Sequence, residues 1–210
     1  ALKAQAVIAR TWAIYNSNRF SMDKYHLCIT TQCQVYKPST IKSSKVEKAI
    51  RETSNLIITY NDKPINSFYH GSSGGLSAMA SESWQINDYF YFQTKIDGSE
   101  SLNNYMKLPI NSDVELDQFL NLDKEKFYGD YHYLFRWNKK VSTPKITNFL
   151  IKNNLMNEKE SVIDFKVAER GLSGRATKLE ILTNSDNQSI FLVKDDIRRV
   201  LSFLPSNLFI

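Results

Sequence analysis

Apolar positions in the first 17 residues recur at helical intervals, with Leu2, Ala6, Ala9 and Ala13 on one row and Gln5 and Trp12 beside it. This spacing, dense in alanine, predicts a buried first helix. Periodicity is then lost over residues 18–43, where Asn, Ser, Asp, Thr, Cys and Pro gather around one short extended piece at residues 34–36. Loop composition of this length marks a place for function. Ser44 stands three residues before Glu47, and Val46, Ala49, Ile50 and Thr53 continue one face, so a capped helix is predicted over residues 44–54. Two extended runs, 56–60 and 65–70, flank the turn residues Asn61-Asp62-Lys63-Pro64 and predict a hairpin.

Beyond this point the pattern weakens before it sharpens. An aromatic strand is predicted over 89–94, a short helix over 111–122, and a further strand where Tyr133, Phe135 and Trp137 alternate with Leu134, Arg136 and Asn138. Thr143-Pro144 opens a helix whose buried face is Ile146, Phe149 and Leu150. The last quarter reads as an antiparallel meander: Ile163, Phe165 and Val167 alternate with polar residues, Leu179 and Ile181 do the same, and Asp186-Asn187 turns into a third strand over 189–193. A final helix is predicted over 195–203, acidic at its start and stopped by Pro205. With no repeat and no low-complexity linker, the expectation is α+β: a single compact domain over residues 1–210, with antiparallel sheet elements, packed helices and a long irregular loop region forming a groove.

Composition adds two constraints. The net charge of +5 favours polyanions in general, but Lys and Arg are scattered from Lys3 to Arg199 with acids between them, which is the distribution of a solvated mixed surface rather than a phosphate-binding stripe. No nucleic-acid partner is therefore expected. No apolar run approaches the roughly 20 residues that span a bilayer. The first helix opens without an initiator Met or a capping Ser, Thr, Asp or Asn, so an upstream segment carrying a signal or membrane anchor is expected.

Candidate chemistry is sparse. In YHGSSGG, residues 69–75, a histidine adjoins two serines and two glycines. Without a G-x-S-x-G elbow, a Ser/His hydrolase is outweighed by a loop whose glycines make a tight turn at a strand end. His26, Cys28 and Cys33 form an H-x-C-x4-C cluster, for which a disulfide, a zinc site and two unpaired thiols all remain open. Glycoside cleavage needs a protonated acid, yet Glu47, Glu52, Glu82 and Asp62 each read equally well as a cap, a solvated face or a turn.

Several segments taken together resemble the stage II sporulation protein D family. ALKAQAVIARTWAIYN is similar to its first-helix signature, TTQCQVYK to its Q-V-Y segment, FYHGSSGGLS to its H-S-T-S-G-G-x-T loop, and GLSGRATKLEI with DDIRRVLSF to its S-G-R strand and arginine helix, all in family order. The resemblance implies an extracytoplasmic domain acting on peptidoglycan glycan strands. The implied activity is either a lytic transglycosylase cutting between N-acetylmuramic acid and N-acetylglucosamine, or a non-catalytic enhancer of a wall amidase. The family's catalytic glutamate directly precedes A-L-K-A-Q, which places it ahead of Ala1 and leaves no residue of this sequence in that role. The implied groove is lined by Lys3, Gln5 and Arg10 of the first helix, Gln34 and Tyr36 of the next segment, and His70, Ser72, Ser73, Gly74 and Gly75 of the loop. Arg175 is the candidate for a muropeptide carboxylate, with a structural ion pair as its alternative. No cofactor is required. A structural zinc on Cys28 and Cys33, with His26 weaker, stands even with a Cys28–Cys33 disulfide. Partners implied are the glycan strands and other wall hydrolases, with the membrane reached only through an upstream anchor.

Overall fold

The computed structural model describes residues 1–30, 33, 43–185 and 189–210. The extended piece expected at 34–36 and the Asp186-Asn187 turn lie outside them. The chain is α+β and divides into two compact units, Ala1–Gly71 and Ser72–Ile210.

In the first unit, helix α1 (Leu2–Tyr15) begins at Ala1 with no side-chain cap, as its sequence requires. Only Thr11 and Trp12 are buried, so α1 is less buried than expected: its small alanine side chains give it little apolar area to bury, and residues 1–5 are all exposed. Helix α2 (Ser44–Glu52) forms where predicted, but its N-cap is Ser43 and no side chain caps it, so the Ser44/Glu47 capping box is absent. The hairpin turn is at Asn61-Asp62, both at positive φ (48° and 59°), a conformation that Asn and Asp tolerate best among residues with a side chain. Its strands β1 (Thr59–Tyr60) and β2 (Lys63–Pro64) are shorter than predicted, extended only by the bond from Ile65 N–H to Ile58 O, 3.1 Å.

The second unit carries two apolar clusters. The larger is built on a sheet of order β3-β4-β5, from β3 (Val162–Arg170), β4 (Ala176–Thr183) and β5 (Ser189–Val193), antiparallel throughout. Leu179 and Ile181 of the central strand point inward as their alternation predicts, against Ile146 and Leu150 of helix α5 (Thr143–Lys152) and Ile197 and Val200 of helix α6 (Asp195–Val200). Helix α6 stops three residues short of its predicted end. In β3 a register shift between Val162 and Asp164 leaves Ile163 without an opposite residue in β4, while Phe165 stays opposite Ile181 and Val167 opposite Leu179. Val162 is buried, while Ile163 and Phe165, expected to be the apolar face, are 62% and 41% exposed.

The smaller cluster gathers Leu76, Leu102, Ile110, Phe127, Phe135 and Leu208 around Leu116 and Phe119 of helix α4 (Asp113–Leu120). That helix starts with a true capping box, Ser112 with Glu115. The strands predicted over 89–94 and 133–137 do not form. At the second, His132 N–H bonds to Gly129 O and Phe135 N–H to His132 O, at 3.0 and 2.8 Å, so the backbone closes into tight turns. The aromatic alternation there reflects one buried ring, Phe135, between the exposed Tyr133 and the half-buried Trp137 rather than a pleat. Among the described residues no helix is long and apolar enough to cross a membrane.

Candidate functional site

In the first unit α1 is held by its middle and presents its beginning. Arg10 Nη1 donates to the carbonyls of Thr53 and Leu56, at 2.7 and 2.8 Å, satisfying acceptors at the end of α2. Thr11 Oγ1 donates to Val7 O and accepts from Ile58 N–H at 3.0 Å, and Ser67 donates to Ile8 O at 2.9 Å. Arg10 is thus engaged within its unit. Lys3 and Gln5 stand exposed on the first turns, Lys3 in a solvated ion pair with Glu52 at 2.7 Å. His70 is exposed near the end of this unit. Gln34 and Tyr36 lie outside the described residues.

The two thiols are free but adjacent: Cys28 N–H donates to Cys33 Sγ at 3.1 Å, and Cys33 N–H to Thr30 O at 3.0 Å. Hydrogen bonds from Cys33 and from Thr30 lower the Cys28 thiol to about 7, whereas burial raises that of Cys33. The His26 ring turns its Nδ1 to Ser17 O at 2.8 Å, leaving Nε2 for any ligand. Two sulfurs suit zinc, but a structural zinc takes four donors, and no group of three or more His, Cys, Asp or Glu placed for a metal occurs among the described residues.

In the second unit the loop Ser72–Gly75 is fixed from within. Gly74 and Gly75 have φ of +66° and +94°, a region open to glycine, and a Cβ on Gly75 would meet the Phe127 ring at 2.6 Å. Ser72 Oγ accepts from Gly74 N–H at 3.2 Å; Ser73 Oγ accepts from Gly75 N–H at 3.1 Å and donates to Asp97 Oδ2 at 2.6 Å. Ser73 is 7% exposed, so its hydroxyl is a brace and not a nucleophile at a surface. Each carbonyl from Ser73 to Leu76 is taken. Arg175 Nη2 donates to Ser73 O and Leu76 O, both 2.9 Å; Arg136 Nη1 donates to Gly74 O at 2.7 Å; and Asp97 N–H bonds to Gly75 O at 2.9 Å.

Behind the loop lies a buried polar cluster that the sequence did not disclose. Glu82 sits on the short helix α3 (Ala80–Ser83) and Ser173 on the approach to β4. Ser173 N–H donates to Glu82 Oε1 at 3.2 Å, and its hydroxyl donates to Oε2. Burial pushes the Glu82 carboxyl up, opposed by the Ser173 hydrogen bond and the charge of Arg175. Burial lowers Arg175 in turn, with Glu82 opposing. Gly171 is required here, since a Cβ would lie 2.5 Å from Glu82 Cδ. Arg136 is packed among the rings of Phe119, Phe127 and Phe135, 4.3–5.4 Å from their centroids. Arg136 was outside the residues expected at the site, and Glu82 was weighed there only as one of four carboxylates that read equally well as a cap, a solvated face or a turn. The available signal was weak: a glutamate among small residues in AMASESW, and an arginine in an aromatic stretch.

Comparison with known proteins separates the chain at nearly the same place. Residues 1–60 match the family model described as Stage II sporulation protein, and residues 78–210 match the Domain of unknown function (DUF8618). Among curated proteins the chain is similar to the "Amidase enhancer" of Bacillus subtilis (strain 168), 27% identical over 165 residues, covering 78% of this chain and 21% of that protein. It is also similar to an uncharacterised protein of Brachyspira hyodysenteriae (strain ATCC 49526 / WA1), 38% identical over 79 residues, 36% of this chain and 21% of that protein. The chain therefore spans about a fifth of the length of the curated relatives it matches. Residues 1–60, which carry the first-helix signature, match the stage II sporulation protein model, and over residues 78–210 the chain belongs to the DUF8618 family.

Proposed function

We propose that this chain is the glycan-engaging part of a longer, extracytoplasmic lytic transglycosylase that cuts peptidoglycan between N-acetylmuramic acid and N-acetylglucosamine. The observation that carries the reading is the signature helix itself. Arg10 and Thr11 clamp α1 inside its unit while Lys3 and Gln5 stay exposed on the first turns, next to the position where the signature places its glutamate. In this reaction one carboxylic acid protonates the glycosidic oxygen as the C1–O4 bond breaks. The resulting carboxylate then accepts the proton of the muramyl 6-hydroxyl, whose oxygen closes on C1, and no water is consumed. Lys3, Gln5, His70, Ser72, Gly74 and Gly75 are the residues assigned to glycan contact. Arg10, Ser73 and Arg175 hold the contacting elements in place, Arg175 in place of a direct contact to a muropeptide carboxylate. The test reads the residue directly ahead of Ala1 in the full protein: a glutamate is expected there, and its replacement by glutamine should stop release of anhydromuropeptides from purified walls while wall binding persists.

A second reading, a non-catalytic enhancer of a wall amidase, is supported by the name of the Bacillus subtilis relative. It predicts that the same substitution leaves amidase stimulation intact and that no anhydromuropeptide is released before or after it. For Cys28 and Cys33, a loop disulfide or a zinc site completed by further donors are both consistent with the paired sulfurs, and neither takes part in the cleavage step.

A further inference from the structure

One buried acid has no part in the cleavage step: Glu82, 5% exposed on α3. Its side chain grips the turn 171–175 at two points. Ser173 donates to the carboxyl through both its N–H and its hydroxyl, and Gly171 lies so close that a Cβ there would sit 2.5 Å from Glu82 Cδ. The turn is closed on itself by Gly171 N–H to Arg175 O at 2.9 Å and by Gly174 N–H to Gly171 O at 3.0 Å. Arg175 is its last residue, so whatever fixes the turn fixes the root of the arginine side chain. At the far end Nη2 donates to the carbonyls of Ser73 and Leu76, while Nη1 is buried without a hydrogen-bond partner among the described residues. The guanidinium is thus aimed by its root and by the charge of Glu82, rather than by a fork of bonds from both terminal nitrogens.

We infer that Glu82 is a positioning residue for the glycine loop: it steadies the 171–175 turn from which Arg175 holds Ser73 and Leu76, and a change in its charge is transmitted along this path to Gly74 and Gly75. Ionised, the carboxyl accepts both Ser173 bonds and attracts Arg175. Neutral, it turns one oxygen into a donor and loses that attraction. The other charged groups on the elements around it are engaged elsewhere: Arg170 with Asp113, Lys178 with Glu169, Asp88 at Ser81 of α3, and Asp97 with the Ser73 hydroxyl. Arg175 is the charge that acts on Glu82. The whole path lies within the second unit. Its consequence for glycan contact rests on the function proposed above; the path itself rests on the geometry.

The chain has 7 glycines, so labelling glycine alone with nitrogen-15 gives an amide spectrum that can be followed with pH residue by residue. Gly171 and Gly174 report the turn, Gly74 and Gly75 report the loop, and Gly129, with nothing within 4 Å of where its Cβ would be, is the control. In the wild type a pH step at Gly171 and Gly174 should recur at Gly74 and Gly75 with the same midpoint and be absent from Gly129; a shared midpoint marks one two-state change felt at both places. E82Q should remove the step from all four. R175K should leave it at Gly171 and Gly174 and remove it from Gly74 and Gly75. Loop glycines that do not follow the turn overturn the inference, as does a loop step that survives in E82Q, or a wild type without a step that E82Q removes. In the full protein E82Q should raise KM for stem-free glycan strands about fivefold with kcat little changed, the scale of one net hydrogen bond. An unchanged KM overturns the positioning role. A full protein that cuts no strand removes the proposed function instead, and the glycine spectra still decide the path.

Discussion

Arg175 Nη2 donates to the carbonyl of Ser73, 102 residues earlier in the chain, and to that of Leu76, both at 2.9 Å. One side chain on the approach to β4 thereby fixes both ends of the glycine turn and also faces the buried Glu82. Removing it leaves two carbonyls without their donor and a buried carboxyl without its counter-charge. Arg175→Ala should cost about 3–5 kcal/mol in urea unfolding, the range for breaking a buried charged pair from one side. Lysine offers one ammonium in place of the forked donor and should recover only part of this.

Glu82 gives the pH dependence a definite sign. Its carboxyl is raised by burial, so its stabilising contribution is complete below the ordinary carboxylate range of about 4 and declines as pH rises through the raised value. Glu82→Gln keeps the shape without the titration. The stability of the glutamine variant relative to wild type should therefore improve from acid to neutral pH, read from unfolding curves at each pH. Constant relative stability would show that the carboxyl is not raised.

How much of this was legible in sequence follows from how local each signal is. The Thr143-Pro144 start of α5, the inward Leu179 and Ile181, and the Asn61-Asp62 turn are written in neighbouring residues and appear where expected. The exposed Ile163 was not legible, because a register shift set by pairing with β4 leaves no mark on the alternation itself. Glu82 and Ser173 are 91 residues apart, and no local pattern distinguishes a glutamate that will be buried from one that caps a helix. At the candidate site the direction of two groups was not legible. Ser73 and Arg175 looked like groups for a ligand, and the fold turns both toward the loop's own backbone.

Two glycines at positive φ separate backbone strain from collision. Gly75→Ala places a methyl 2.6 Å from the Phe127 ring at φ +94°, whereas Gly129→Ala at φ +76° meets nothing within 4 Å. The second substitution should cost about 1–2 kcal/mol, the backbone term alone. The first should exceed it by about 1–3 kcal/mol through overpacking. Thermal unfolding of the two variants checks the difference.

The thiols should react unequally. With its thiol lowered to about 7, Cys28 is largely thiolate at mildly alkaline pH, while Cys33 is held back by burial. Alkylation followed by peptide mapping should label Cys28 first, with a rate that rises through about pH 7. Cys33→Ser, which weakens the hydrogen bond to Cys28, should move that midpoint upward.

The central claim is glycan cleavage without water. The direct measurement is mass spectrometry of the chain ends formed when the full protein digests stem-free glycan strands in heavy-oxygen water. The account predicts 1,6-anhydromuramyl ends carrying no heavy oxygen. Labelled reducing ends, or uncut strands under conditions where the protein binds them, would contradict it.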